Sequence, residues 1–569
     1  MFGGTSGKLP SAFNHDFATV PATRLPRSAF DRSHTVKTTI QAGDLVPIFL
    51  DEILPGDTVS LNSTVFARLS TPVVPAMDNL EVTTQYFFVP NRLLWTNWER
   101  FCGAQDNPGD SISYTVPYLN SVVFGVMSLA DYFGLPPGTY GTETGGAGAQ
   151  VCALPFRAYA LIWNQWYRDE NLQNSLTVSL ADGPDSTTSV VIMKRGRKKD
   201  YFYGSLTGAQ KGTAVPFLSG TANVYSATQD ATGRNTVFQH WNTTDSAAQY
   251  GGLAKTAGAT TLSLGGGWTG TAAGDNTGGF ALGTAAQYTA LGAGYQAPYA
   301  DLSTNVTDVV NTLRLAFQTQ KFLERDMRGG TRYTELNQSH FGVVNPDARL
   351  QRSEYLGGGV STLQITPIPQ TSATGLTGGT TKLGDLAAFG TALSSRNGFT
   401  KSFTEHGWVI GILNIRRPDT VYQQGIHRMW GRSTRYDHYW PVFANLGEQT
   451  VLGREIYASF DGGSASGDRS TWGYQERWAE YRYKPSVASG LFRSAASGTL
   501  DTWHFGDKYG SRPSLNSTHI VDPVQTVLDR NLAVTSSATV AQLKVDVFHK
   551  LHHARVMPVK SVPGNMDRF

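Results

Sequence analysis

Three clusters of basic residues carry the side chains best suited to chemistry. Lys194, Arg195 and Arg197 belong to the run Lys194–Lys199; Arg428, Trp430, Arg432 and Arg435 lie with Tyr436 between His427 and Trp440; and Lys550, Arg555 and Lys560 fall near the C-terminal end. The middle cluster alternates cations with rings. Single-stranded nucleic acid asks for such a surface, with cations for phosphates and aromatic faces for bases. Arginine and aromatic residues are also favoured interface anchors. The competing reading therefore places the rings in a core or a subunit contact and the arginines on acidic partners. His549, His552 and His553 could share a metal if helical, since positions three or four apart then lie on one face. They sit among Lys544, Lys550 and Arg555 with no cysteine nearby and Asp546 as the acidic neighbour. A cationic strand lying on an anionic or protein surface is the better reading.

Catalytic patterns fail in detail. Gly208 and Lys211 lack phosphate-loop spacing, and Thr362 stands where a dinucleotide loop starting at Gly357 needs glycine. Asp51 and Glu52 are neighbours on an expected strand and point to opposite faces. The glycine-rich stretch around Ser464 does not read as a nucleophile elbow. The cysteines Cys102 and Cys152 form no metal-binding pair and cannot staple a chain of 569 residues. No enzyme, metal or cofactor is expected.

The elements that must position these residues are mostly strands. Segments 34–40, 44–54, 58–70 and 80–90 alternate and are rich in β-branched and aromatic residues. Leu54-Pro55-Gly56-Asp57 has Pro and Gly where a type II turn wants them. Residues 403–415 return to strand alternation. Helices are expected over 92–103, from Pro155 to about Asn174, and from Asp301 to about Arg328, each with apolar residues at helical spacing. Charged residues are only 16% of the chain, and 47 basic against 44 acidic side chains give +3. That balance excludes a wholly basic nucleic-acid binder, though not a local basic surface. Glycine is concentrated between about 219 and 298, where charge almost vanishes. No apolar run is long enough for a membrane span, and the N-terminal residues lack a signal-peptide pattern.

Strands at both ends with helices and a long insertion between them suggest one jelly-roll sandwich swollen by its loops. The expected divisions are an extended arm at 1–33, the first part of the jelly roll with helical insertions at 34–218, a Gly-rich insertion at 219–298, a helix and the second part of the jelly roll at 299–540, and a basic tail at 541–569.

Particular strings go further. GDLVPIFLDEILPGDT (43–58), FFVPNRLLWTNWERF (87–101), RAYALIWNQWYRDENLQ (157–173), HFGVVNPDARLQRSEYLGG (340–358) and YQQGIHRMWGRSTRYDHYWPVFANLGEQ (422–449) resemble the major capsid protein of the gokushovirus group of the Microviridae, small icosahedral single-stranded DNA phages. The resemblance implies an eight-stranded jelly roll, mainly β, that self-assembles through pentamers into a T=1 shell around a circular single-stranded DNA genome. It implies Lys194, Arg195, Arg197, Arg428, Trp430, Arg432, Arg435, Lys550, Arg555 and Lys560 as candidates for DNA contact. By position alone, the 219–298 insertion would form an external threefold protrusion, with Trp241, Tyr250 and Trp268 toward a host surface receptor. Further implied partners are an internal scaffolding protein, a DNA pilot protein and a small basic DNA-binding protein. The implied location is the virion, assembled in the host bacterial cytoplasm without a membrane. The alternative is a jelly-roll adhesin whose Gly-rich loops bind glycan.

Overall fold

A computed structural model describes residues 27–212 apart from 121, 142–148 and 186–190, and residues 351–560 apart from 372–383, 462–466 and 538. Between these blocks it describes several short strands, one long helix and residues 339–340. The chain divides into two compact units, one formed by 1–209 with 331–569 and the other by 210–330.

The first unit is built on an antiparallel sheet. Its strands are β1 (Ser28–Asp31), β2 (His34–Ile40), β3 (Val46–Ile53), β4 (Thr58–Leu69), β5 (Leu80–Pro90), β6 (Glu354–Pro369), β7 (Leu386–Ser402), β8 (Gly407–Arg416) and β9 (Leu543–Arg555). β1 and β2 both pair with β9, and the order continues through β4, β7, β6, β5 and β8 to β3. One apolar core draws on both ends of that order: Ile40, Ile48, Val65, Val82, Leu363, Leu413 and Val545 all belong to it. A flat sheet could not bring them together, so the sheet curls on itself. Phe49 of β3 lies 6.0 Å from the His34 ring of β2 and 5.2 Å from the His549 ring of β9, so the two ends of the sheet face each other. This is the mainly β, jelly-roll architecture that the strand pattern predicts. Each core aliphatic removed from water contributes roughly 1.5–3 kcal/mol.

The curl is made by β6 and β7. The first half of β6 pairs with β5 and its second half with β7, while β7 goes on to pair with β4. Close approach at this corner requires glycine. A Cβ at Gly358 would lie 2.1 Å from the Thr84 carbonyl oxygen, and one at Gly398 would lie 1.9 Å from that of Leu61. At the Leu54–Asp57 turn, Gly56 has φ 89° and the Asp57 N–H donates to the Leu54 carbonyl at 3.1 Å, as the Pro-Gly pair predicts.

The outer face of β5 and β8 is covered by α1 (Leu154–Ile162), which begins with Pro155 in its first turn, where the missing N–H costs nothing. Its Phe156, Tyr159 and Ile162 pack with Phe87, Val89, Ile410 and Ile412. The chain then widens into a π-helical turn over Trp163–Tyr167 and becomes extended at Arg168, short of the expected Asn174. In the expected helix 92–103 only Trp98–Phe101 is α-helical, after a 3₁₀ turn at Asn91–Leu93. Asp182 accepts from Trp95 Nε1 at 2.6 Å and Asn97 Nδ2 at 2.8 Å, and these bonds hold the segment in its broken form.

Two boundaries change. Part of the supposed N-terminal arm is β1, paired with β9; residues 1–26 lie outside the described ones. The supposed tail contains β9, which is an interior strand of the sheet between β2 and β4. In the second unit, strands Val237–His240, Gln249–Ala254, Ser263–Gly265 and Phe280–Ala281 form a four-stranded sheet, and α2 (Val309–Arg328) belongs to this unit rather than to the jelly roll. Residues 301–308, where that helix is expected to begin, lie outside the described ones.

Candidate nucleic-acid interface and assembly surface

The middle basic cluster is a loop of three short 3₁₀ turns, Arg428–Gly431, Arg435–Asp437 and Pro441–Phe443. Asp437 closes the second turn. Its carboxylate accepts the backbone N–H groups of Thr434 at 2.8 Å and Ser433 at 3.0 Å, and these bonds hold its pKa down at about 2. The turn aims Arg435 outward, with its guanidinium 4.8 Å from the Tyr436 ring and a hydrogen bond to the Tyr436 hydroxyl at 2.7 Å. Trp440 Nε1 donates to the Arg435 carbonyl at 2.9 Å, which stiffens the loop. Trp430, Trp440 and Val442 remain 74%, 51% and 89% exposed.

The other two arginines of this loop are committed within the chain. Arg428 donates to the Thr450 carbonyl at 2.6 Å and lies 3.5 Å from Glu455, whose carboxyl burial pushes up in pKa. Arg432 lies over the Tyr481 ring at 4.2 Å and pairs with Glu480 at 3.4 Å. The interface-type reading of this cluster thus accounts for Arg428 and Arg432, while Arg435 and Trp430 stay open to solvent.

The 194–199 run behaves differently again. Lys194 is partly exposed and donates to Gln525 Oε1 at 2.7 Å. Arg195 lies 5.7 Å from the Tyr167 ring, and burial lowers its pKa. Arg197 is buried and pairs with Asp507, which is a correction to its place among DNA-contact candidates. The partner carboxylate is the hub of an ionic network. Asp507 also accepts from Arg417 Nη1 at 2.8 Å and from the Tyr509 hydroxyl at 2.7 Å, and Arg417 in turn pairs with Asp522. Burial alone would raise the Asp507 carboxyl, but Arg417 and Arg197 outweigh it and hold it at about 2. Because every member is matched, the network can remain ionised in the interior. Its acids lie hundreds of positions from Arg197, so no sequence spacing announces it.

On β9 the side chains alternate. Leu543, Val545, Val547, His549, Leu551 and His553 are buried, while Lys544, Phe548, Lys550 and His552 face solvent. His552 therefore points away from His549 and His553, and no metal-ligand cluster occurs among the described residues. The inward His549 joins a chain of hydrogen bonds. The Tyr86 hydroxyl donates to Ser63 Oγ at 2.6 Å, Ser63 donates to His549 Nδ1 at 2.7 Å, and His549 Nε2–H donates to the Ile48 carbonyl at 3.0 Å. Four strands are tied through one neutral imidazole, and burial lowers its pKa to about 4. Arg555 is held by Asp57 at 3.0 Å and the Glu52 carbonyl at 2.5 Å, whereas Lys560 is exposed. Trp241 and Trp268 lie outside the described residues; of Tyr250 only the backbone is described, in the strand Gln249–Ala254.

The chain thus pairs a closed, loop-rich sandwich with exposed aromatic anchors and scattered outward cations. Comparison with known proteins gives that combination a context. The capsid protein (F protein) family matches residues 18–565. Capsid protein VP1 of Bdellovibrio phage phiMH2K is 42% identical over 99% of this chain and 100% of its own length. Capsid protein VP1 of Chlamydia phage 1 is 40% identical over 98% of each chain, and that of Spiroplasma virus 4 is 34% identical over 97% of each. The chain belongs to the capsid protein (F protein) family, as a structural major capsid protein of the gokushovirus type in the Microviridae.

Proposed function

We propose that this coat protein assembles as a T=1 icosahedral shell around circular single-stranded DNA. In this reading pentamers are the intermediates, and Arg435, Lys550 and Lys560 are the members of the predicted basic set still free to meet DNA, while the exposed Trp430 serves the subunit contact. A scaffolding protein, a DNA pilot protein and a small basic protein would accompany assembly in the host cytoplasm. The 219–298 insertion, with Trp241, Tyr250 and Trp268, would meet a host receptor. The observation that carries the self-assembly part is the 428–446 loop. It holds Trp430, Tyr436, Tyr439, Trp440, Val442 and Leu446 exposed in one stretch, whereas isolated monomers rarely expose apolar groups so densely. Buried aromatic anchors dominate interface energetics, so truncating one such residue typically costs about 2 kcal/mol or more. Val442→Asp and Trp430→Ala should leave a folded subunit and abolish closed particles in electron micrographs. Particles of normal diameter and yield from both variants would remove this loop from the assembly surface.

A further inference from the structure

The solvent side of β9, β4 and β7 carries Lys550 of the predicted C-terminal cluster together with residues that no predicted cluster contains. Strand register lays it out in rows. Thr39, Lys544, Arg68 and Thr391 stand side by side across β2, β9, β4 and β7. The next outward row is Lys37, Asp546, Phe66 and Leu393, and the next brings Phe548 opposite Thr64. Beyond them Lys550 opposes Asn62, and His552 opposes Ser60.

Three properties of these rows point to one ligand chemistry. First, Arg68 and Lys544 are directly opposed like charges, an arrangement that destabilises a sheet unless an anion sits over it. They are flanked by two threonine hydroxyls, and neither makes an ion pair among the described residues. Second, Phe66 and Phe548 are 45% and 47% exposed on adjacent strands, as diagonal neighbours roughly 7–8 Å apart. A core-forming strand would turn such rings inward; here the inward positions are already filled by Val65, Ala67 and Val547. Third, the charges are one-sided. Against Lys37, Arg68, Lys544 and Lys550 stand Asp546, which holds Lys37 at 2.8 Å, and Asp31, which is bonded by Ser33 and interacts with Lys550 at longer range. The cation pair also lines a cavity of about 810 Å³ together with Lys37 and Phe66, where the carboxylates of Asp546 and Asp131 are the acidic members of the lining.

We infer that this face of β9, β4 and β7 binds single-stranded nucleic acid, with phosphates on Arg68–Lys544 and on Lys550 and two bases against Phe66 and Phe548. From Lys544 to Lys550 is six residues of strand, roughly 20 Å, with the rings between the two cationic ends. A backbone track with stacking platforms along it is the form that sequence-tolerant single-strand binding takes. The inference rests on the reading of this protein as a container for single-stranded DNA, and it moves the main contact from the predicted loop to the sheet.

The test measures binding of the dissociated full-length subunit to single-stranded oligo(dT) by fluorescence anisotropy over a salt series. Arg68→Gln/Lys544→Gln/Lys550→Gln should lower the slope of log affinity against log salt by about 2, at roughly 0.7 per lost phosphate contact. The charge-keeping Arg68→Lys/Lys544→Arg should retain the slope. Phe66→Ser/Phe548→Ser should weaken binding at least about tenfold with the slope unchanged. Wild-type affinity and slope in both the triple-Gln and double-Ser variants, or no binding by the wild-type subunit, overturns the inference. Loss of particles with unchanged oligonucleotide binding also overturns it, by making the face a subunit contact. Particle formation by the wild type is scored separately by electron microscopy. The capsid reading and the sheet-face assignment therefore fail by different observations.

Discussion

Arg417→Met should be among the most damaging single changes in the jelly-roll unit. The Arg417 guanidinium reaches Asp522, Asp507 and the Phe505 carbonyl. Methionine fills similar space but leaves the Asp522 carboxylate, 5% exposed, without either of its guanidinium donors. Asp507 would keep Arg197 and the Tyr509 hydroxyl. Breaking a buried pair from one side typically costs about 3–5 kcal/mol, because the surviving charge stays desolvated. Removing both charges with Arg417→Met/Asp522→Leu should recover at least half of that loss, giving a coupling of roughly 2 kcal/mol. The assay is urea unfolding of dissociated subunits followed by tryptophan fluorescence. The same network predicts acid sensitivity. The folded-state pKa of Asp507 lies at about 2, below its unfolded value. Its contribution is therefore complete above roughly pH 5 and is lost as pH falls toward 2, amounting to about 2 kcal/mol. A single Arg417→Met variant within about 1 kcal/mol of wild type at neutral pH would refute the network's role.

Further outcomes follow from the sandwich interior. Ser63→Ala should cost about 1–3 kcal/mol in the same urea assay, since it strips a donor from His549 Nδ1 and an acceptor from the Tyr86 hydroxyl. Because burial holds His549 at about 4, below its unfolded value, its contribution is full above roughly pH 6.5. That contribution, on the order of 3 kcal/mol, falls as pH drops toward 4; a wild-type stability profile flat across that window contradicts the buried neutral imidazole. Gly398→Ala should prevent soluble expression, whereas Gly510→Ala, with nothing within 4 Å of its added carbon, should express normally. Equal soluble yields of the two would contradict the close approach of β4 and β7.

The strands that alternate plainly were legible in the sequence. β2, β3, β4, β5 and β8 fall within a few residues of their expected positions because one face is core and the other is not. β6 and β7 were not legible. Gly357, Gly358 and Gly398 suggest turns, yet they sit inside strands whose backbones approach too closely for a side chain, and at Gly359 the Asn397 side chain fills the space. β9 was legible as a cationic strand but not as an interior one: lysines on one side distract from the Leu-Val-Val-His-Leu pattern on the other. Basic clusters were visible as composition, but a charge on paper does not reveal its partner. Arg197 is consumed by Asp507, 310 positions away, while Arg68 and Lys544 are unremarkable in sequence and become neighbours only through strand register.

The pairing of β4 with β9 has a consequence for how the protein is made. β4 is complete by Leu69, yet the strand that fills one of its edges runs from Leu543 to Arg555. During synthesis that edge must wait for almost the whole chain to leave the ribosome, and an unpaired strand edge is an aggregation hazard while it waits. Such distant pairing also makes folding slow. A chain stopped before Leu543 would leave β1, β2 and β4 without their shared neighbour. The sheet therefore ties folding to completion of the chain: a prematurely terminated subunit lacks the strand against which its own first strands pair.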